Sequence, residues 1–576
     1  MGSTAEPSAQ DGFVLHGTAY VHGKTSGKLV TSDLELSFWG GVNPQTGEII
    51  DRHHTLSGTF LQGTVLVIPG GRGSCSGSGV MLELLLNGKG PEAVIFQRRE
   101  DILTLGVIIS EDIFGRAIPV LTLDMEDFQA ILKRHGQHVH IDAQPPPVAR
   151  DVELSAADRA LLDGSGGKAA QVSMRIILRM AALLGAHRLL DVKQVHVDGC
   201  IYTGPGSLAF AQRLRAWGGK VAVPTTLNSV SIDQKRWRAQ GVDPVFGVAS
   251  RELAAAYTDM GARPTFTCAP YQLDTAPGLG DQVAWAESNA VVYANSVLGA
   301  RTIKYPDFLD IAIALTGRAP EAGAHQDVNR LASVCITVTD ARAFRTIDDS
   351  FYPLLGYKVG SLAPTRIPVV AGLEALAPSR DDLKAFGAAF ATASSMPMFH
   401  ILGVTPEAAS LDTVLTKTSS VTYISLDTSQ LSPYWDKLNS ADPGQPVDLV
   451  SLGNPHFSFA EIKKLAALCR DKRKHAEVTM VVTCGRATHA LAGQAGLVEV
   501  LETFGVRFLN DTCWCMITEP VIPRAAKVIM TNSGKYAHYG PGLTGRRFYF
   551  GGLASCVEAA CSGVFRGEKP QWLAGE

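Results

Sequence analysis

The hydrophobic pattern changes once along the chain. Up to about residue 145 it consists of short β-branched runs broken by glycine: "GTAYVHG", "GKLVTSD", "TVLVIPG", "EAVIFQR" and "LGVIISEDIFGRAIPVLTL". These predict strands, with one helix over Val80–Leu86. The run Pro145-Pro146-Pro147 cannot continue a helix or a central strand and predicts a semi-stiff spacer. From Leu154 the spacing becomes helical in "AADRALLDG" and "KAAQVSMRIILRMAALLGA" and then alternates with strands such as "KVAVPTTLNS". Near the end, "PVDLVSLGNPH", "EVTMVVTCGRATH" and "GVRFLNDTCWC" read as strands around two helices, a βαβαβ unit with a parallel sheet. The expected fold class is α/β: a β-rich domain over 1–143, a linker over 144–155, and a large domain over 156–576 with that unit at about 400–530.

Ligands collect beyond the carboxyl ends of parallel strands. Asn454, His456, Cys484, Arg486, Cys513 and Cys515 fall at that edge. Cys268, in "PTFTCAPYQL", follows a short strand and completes a set of thiols brought from separate loops, as a soft metal or an iron–sulfur cluster requires. No CxxC pair supports it. Cys200, Cys335, Cys469, Cys556 and Cys561 sit in apolar runs and read as core. Glu287, Asn289, Asn295, Arg301, Lys304 and Tyr305 interrupt an apolar helical stretch; buried polar groups need partners, so these form a network or a site. Lys535 in "TNSGKYAHYGPG" suits a substrate carboxylate. Thr225, Thr226, Asn228 and Ser229 follow a strand.

The loop in "VIPGGRGSCSGSGVMLELLL" places Ser74, Cys75, Ser76 and Ser78 between a strand and a helix. It lacks the lysine of a P-loop and the form of a nucleophile elbow. A serine at a helix start, where amides are free, can bind an anion or lose its proton more easily; a tight structural turn accounts for the spacing equally well.

Composition narrows the partners. The chain has 576 residues, 46% hydrophobic and 19% charged, with net charge -3, which gives no reason to expect nucleic acid or a membrane surface. Ten cysteines are too few for a disulfide scaffold. No membrane-length apolar run and no signal-like start are read, so a cytoplasmic protein is expected.

Taken together, the segments "PGGRGSCSGS", "TCAPY", "WAESNAVVYANSVLGART", "GRAPEAGAH", "SLGNPH", "NDTC" and "TNSGKYAHY" resemble the aconitase X family over nearly the whole chain. The resemblance implies a swivelling small domain fused to a large catalytic domain, so no separate partner subunit. Its two-subunit form dehydrates mevalonate 5-phosphate; its fused single-chain form dehydrates cis-3-hydroxy-L-proline to Δ1-pyrroline-2-carboxylate. The fused form is the expectation here, with a hydroxylated imino acid as substrate. The archaeal form has "GCPH" where this chain has Gly453-Asn454-Pro455-His456. The resemblance therefore implies an altered cluster, [2Fe–2S], with Cys268, Cys484 and Cys513 as ligands and Cys515 in reserve. It also implies a serine base, Ser74 or Ser78 with Ser74 ahead, Lys535 on the substrate carboxylate, and Tyr202, Thr226 and Asn228 as polar wall. Asn289, Arg301 and Lys304 are further substrate-side candidates. The rival readings are another hydroxy acid such as mevalonate 5-phosphate, a redox iron–sulfur protein, and a cluster-free enzyme using a divalent metal.

Overall fold

The computed structural model describes residues 15–51, 54–144, 152–339, 345–417 and 420–574; the expected spacer Pro145-Pro146-Pro147 lies outside them. The amino-terminal strands β1 (Thr18–Val21), β2 (Gly23–Thr31), β3 (Thr64–Ile68), β4 (Ala93–Phe96), β5 (Val120–Thr122) and β6 (His138–Ala143) form one sheet in the order β1-β5-β4-β3-β2-β6. The inner pairings are parallel and the two edges antiparallel. β3 and β4 are buried at every position, so they show continuous apolar runs instead of alternation.

Two local expectations are corrected here. Most of "LGVIISEDIFGRAIPVLTL" is helix, Ile102–Phe114, and only Val120–Thr122 is strand. That helix packs against the Gly77–Leu86 and Gly167–Leu184 helices, and nine of its 13 residues are buried. Burial on so many sides erases the helical period and leaves a β-branched run that reads as strand. The helix after the serine loop begins at Gly77, not Val80, and so contains Ser78.

The remainder carries three further parallel sheets. β8 (Val195–Val197) lies between β10 (Ala284–Trp285) and β9 (Thr225–Leu227), flanked by an antiparallel ribbon of β7 (Leu189–Asp191) and β11 (Arg318–Pro320). The second sheet runs β14 (His400–Ile401), β13 (Pro368–Ala371), β12 (Val334–Thr339), β15 (Thr422–Asp427). The third is the βαβαβ unit extended by two strands: β16 (Leu449–Phe457), β17 (Thr479–Cys484), β18 (Val506–Leu509), β19 (Val528–Thr531) and β20 (Arg547–Phe550), in the order β18-β17-β16-β19-β20. Every residue of β16 is buried. Its order reverses around β16, which opens a crevice at the carboxyl ends. Residue 153 bridges residue 188, and Ser155 caps the helix Ala156–Leu162, so the chain rejoins regular structure by that point. No helix among the described residues is long and apolar enough to cross a membrane.

Candidate functional site

The glycines of the serine loop hold it close to its neighbours. A Cβ on Gly71 would lie 2.6 Å from Glu100 Oε1, and one on Gly73, whose φ is +89°, would lie 2.7 Å from Ser37 Oγ. Ser74 is half-buried; its Oγ accepts from the Ser76 N–H at 3.3 Å and donates to Ser76 Oγ at 3.3 Å. Ser78 is fully buried, and its Oγ donates to the Cys75 carbonyl at 3.2 Å. That carbonyl also accepts the Asp307 N–H at 3.3 Å, which ties the loop to the large part of the chain. A second tie is Glu83, whose Oε2 accepts from Gly206 N at 2.7 Å. Cys75 is buried, and burial, then the charge of Asp307, pushes its thiol up.

Three thiols meet across the crevice. Cys513, in the turn after β18, packs in one small buried cluster with Cys268, with Cys515 against it, and interaction with these two thiols together with burial pushes its thiol up. Cys515 goes the other way, down to about 6: interaction with Cys513 favours its thiolate most, against burial, and Lys535 and Asn454 help. Asn454 Nδ2 donates to Cys515 Sγ at 3.4 Å. The His456 N–H donates to Cys268 Sγ at 3.3 Å. Burial holds the His456 imidazole down to about 4, so it is neutral. Its Nε2 donates to the Thr512 carbonyl at 2.8 Å and its Nδ1 accepts from Thr267 Oγ1 at 3.1 Å. One ring thus joins the loops that carry Cys268 and Cys513. Among the described residues, no group of three or more His, Cys, Asp or Glu side chains is arranged so that it could hold a metal ion as it stands. What is present is a set of three adjacent soft donors.

Lys535 faces these thiols. Ser533 caps its helix, Gly534–Thr544, by accepting from Tyr536 N at 3.1 Å. The Lys535 ammonium pairs with Glu287 at 2.8 Å, and both side chains are nearly buried. Burial opposes its charge, but Glu287, Cys515 and Cys513 outweigh that and hold it well above the ordinary lysine value. Glu287 also accepts from Asn289, whose Nδ2 donates to the Cys268 carbonyl at 3.0 Å. Asn289 therefore shapes the thiol loop.

Beside Lys535 lies a buried acidic pocket. Asp198 accepts from Asn228 Nδ2, and burial first, then Glu287 and Asp310, pushes its carboxyl up to about 7. Asp307 is also pushed well above the ordinary carboxyl range, by burial first and then by Asp198 and Asp310. Thr226 Oγ1 and His196 Nδ1 are 2.8 Å apart on the adjoining strands. A cleft of about 960 Å³, lined by Gly71, Gly73, Lys304, His538 and Tyr539 among others, opens beside the serine loop.

The sequence-derived candidates are thus divided. Ser74, Cys268, Cys513, Cys515, Lys535, Asn289 and Asn228 gather in one region. Cys484 does not join the other thiols. Although it ends β17, it belongs to the hydrophobic core of the third sheet, where Asn510 Nδ2 donates to its Sγ at 3.6 Å and burial pushes it up to about 12. Arg301 pairs with Asp327 and donates to the His325 carbonyl at 3.4 Å. Lys304 donates to the Ser394 carbonyl at 3.3 Å, and burial lowers its pKa. Tyr202 packs edge-on against Phe246 with ring centroids 5.6 Å apart. Asp198 and Asp307, which line the acidic pocket, are not among the sequence-derived candidates. A signal for Asp307 was legible, since it and Asp310 stand in the apolar run "YPDFLDIAIAL".

Known proteins match the chain domain by domain. The chain matches the aconitase X swivel domain over residues 14–148, the first domain over 151–328, the second over 332–436 and the third over 447–562. It is 62% identical to the cis-3-hydroxy-L-proline dehydratase of Hypocrea jecorina, covering 97% of each chain. The protein of the same name from Pseudomonas aeruginosa is 51% identical, over 96% of this chain and 97% of that one. The crystal structure of Thermococcus kodakaraensis aconitase X in its holo-form superposes with a TM-score of 0.63 at 30% identity, covering 71% of this chain and 100% of that one. With all four domains present in one polypeptide, the chain belongs to the aconitase X family.

Proposed function

We propose that this protein is a hydro-lyase that removes water from cis-3-hydroxy-L-proline to give Δ1-pyrroline-2-carboxylate, with an iron–sulfur cluster held by Cys268, Cys513 and Cys515. The observation that carries the site is the meeting of three thiols with Lys535 and Glu287 opposite the docked serine loop. The substrate follows the names of the two relatives similar over nearly the full chain. The donor set fits the cluster by its chemistry: the thiols are soft, Cys515 favours its thiolate at neutral pH, and Lys535 offsets the charge. We assign [2Fe–2S], because Asn454 supplies an amide where the archaeal pattern has a cysteine. When bound, the cluster supplies a Lewis-acidic iron that stabilises the departing hydroxyl oxygen.

The chain's own groups do the rest. Ser74 is the base for the Cα proton, since Ser78 is committed to the Cys75 carbonyl inside a helix. Lys535 holds the substrate carboxylate, and Glu287 beside it suits the ring ammonium. Asn228 and Thr226 form polar wall. Docking of the swivel domain through Glu83 and the Cys75 carbonyl keeps water from the developing carbanion.

A phosphorylated substrate fits less well, because a phosphate needs two or more cations. Arg72 beside the loop is paired with Asp51 at 2.8 Å, and Lys304 is engaged with the Ser394 carbonyl. The partner is a small molecule, and the fused swivel domain makes a separate small subunit unnecessary.

The test is turnover of cis-3-hydroxy-L-proline and of mevalonate 5-phosphate by anaerobically purified protein, with iron and acid-labile sulfide measured. No turnover of the hydroxyproline would end this reading. Cys515→Ser should lose iron and Cys484→Ser should keep it; the reverse result would restore Cys484 as a ligand.

A further inference from the structure

Resting on that reading, we infer that Tyr539 is a further substrate-contacting residue, whose phenol donates a hydrogen bond to the carboxylate held by Lys535 and so sets a preference for the acid over its amide. Three features of the geometry carry it.

The first is the helix that bears Lys535. In the first two turns of Gly534–Thr544, Gly534, Tyr536, Ala537 and Gly540 are buried, whereas Lys535, His538 and Tyr539 keep partial exposure. Spacings of three and four residues put these last on one face, a turn apart. Helical side chains lean towards the amino terminus, so Tyr539 covers the turn that begins beside Lys535. That turn is also the positive end of the helix, which favours an anion.

The second is the cleft. Gly73, His538 and Tyr539 share its wall. Gly73 immediately precedes Ser74, and a Cβ on it would lie 3.7 Å from Tyr539 Oη. The hydroxyl therefore sits against the serine loop while its own helix carries Lys535. A molecule that reaches both Ser74 and Lys535 from the cleft meets this hydroxyl.

The third is an uncommitted donor on a fixed ring. Among the described residues the Tyr539 hydroxyl makes no hydrogen bond. The ring is held all the same: His538 meets it edge-on with ring centroids 4.8 Å apart, and His538 Nδ1 is 2.9 Å from Tyr357 Oη. Burial pushes the phenol up to about 12, so it stays protonated and donates.

A carboxylate presents two acceptor oxygens, one for the ammonium and one for the phenol. Both are charge-assisted contacts, the stronger class of hydrogen bond. An amide in its place turns an NH₂ group towards one of the two donors, so the pair rejects it.

The experiment compares wild type with Tyr539→Phe as iron-loaded full chains. It reads kcat and KM for cis-3-hydroxy-L-proline, competitive inhibition by L-proline and by L-prolinamide, iron content and melting temperature. L-proline lacks the 3-hydroxyl, so its weakening reports a contact elsewhere on the molecule. Tyr539→Phe should raise KM and the L-proline inhibition constant by about 10- to 100-fold. It should leave kcat and the L-prolinamide constant within about threefold. Iron and melting should match wild type, because the lost hydroxyl has no partner in the protein; a merely structural role would move iron, melting and both inhibitors together. An L-proline constant within about threefold of wild type, or equal weakening of both inhibitors, would overturn the assignment. If wild type does not turn over the hydroxyproline, the substrate reading falls and takes this assignment with it. If wild type turns it over and Tyr539→Phe keeps its KM, only the role of Tyr539 falls.

Discussion

Replacing His456 with leucine should loosen the thiol region while leaving the chain folded. His456 is fully buried at the end of β16. Leucine keeps most of the volume and keeps the backbone N–H that reaches Cys268 Sγ at 3.3 Å. It removes the ring donor to the Thr512 carbonyl, 2.8 Å away, and the ring acceptor for Thr267 Oγ1, 3.1 Å away. A buried carbonyl left without its donor costs about 1–3 kcal/mol, and the lost Thr267 bond adds about 1. The total is about 2–4 kcal/mol. At about 4 °C per kcal/mol for a domain of this scale, melting of the third domain should fall by about 8–16 °C. Iron bound per chain should fall as well, because Thr267–Cys268 and Thr512–Cys513 lose the ring that joins them. Differential scanning calorimetry and iron analysis of the same preparation read both effects. A melting temperature within about 2 °C of wild type, with unchanged iron, would refute the claim that this imidazole joins the two loops.

Two further outcomes follow from the same energetics. Gly453→Ala should yield little soluble protein, because its φ is +93° and the added Cβ would lie 2.1 Å from the Thr483 carbonyl oxygen; normal yield and melting would contradict this. Acid should destabilise the protein through His196 and His325, which burial holds down to about 3. The unfolded imidazoles bind protons near pH 6.5 and the folded ones do not. The unfolded state therefore binds more protons between about pH 6.5 and 3, and stability present above 6.5 is lost progressively as pH falls through that window. His325→Gln should flatten part of the slope in unfolding measured against pH, and an unaltered slope would count against it.

The sequence by itself determined the family and much of the fold. Family motifs are local, and the strands of the amino-terminal sheet and of the βαβαβ sheet are short apolar runs, so β3, β4 and β16–β18 were legible. It also brought forward Ser74, Cys268, Cys513 and Lys535, because each is a polar or soft group on a loop after regular structure. It failed where burial erases the period, as in Ile102–Phe114. Only the tertiary structure decided which thiols meet. Cys484 and Cys515 both lie at the carboxyl edge in sequence. The side chain of one packs into the sheet's own core, while the other is carried out on a turn towards Cys513 and Lys535. Strand position is encoded locally; the direction of a side chain at a strand end depends on what packs against it. The same holds for the opening serines. Spacing left Ser74 and Ser78 as alternatives, and only the helix start at Gly77 shows that Ser78 lies inside regular structure while Ser74 stays on the loop before it.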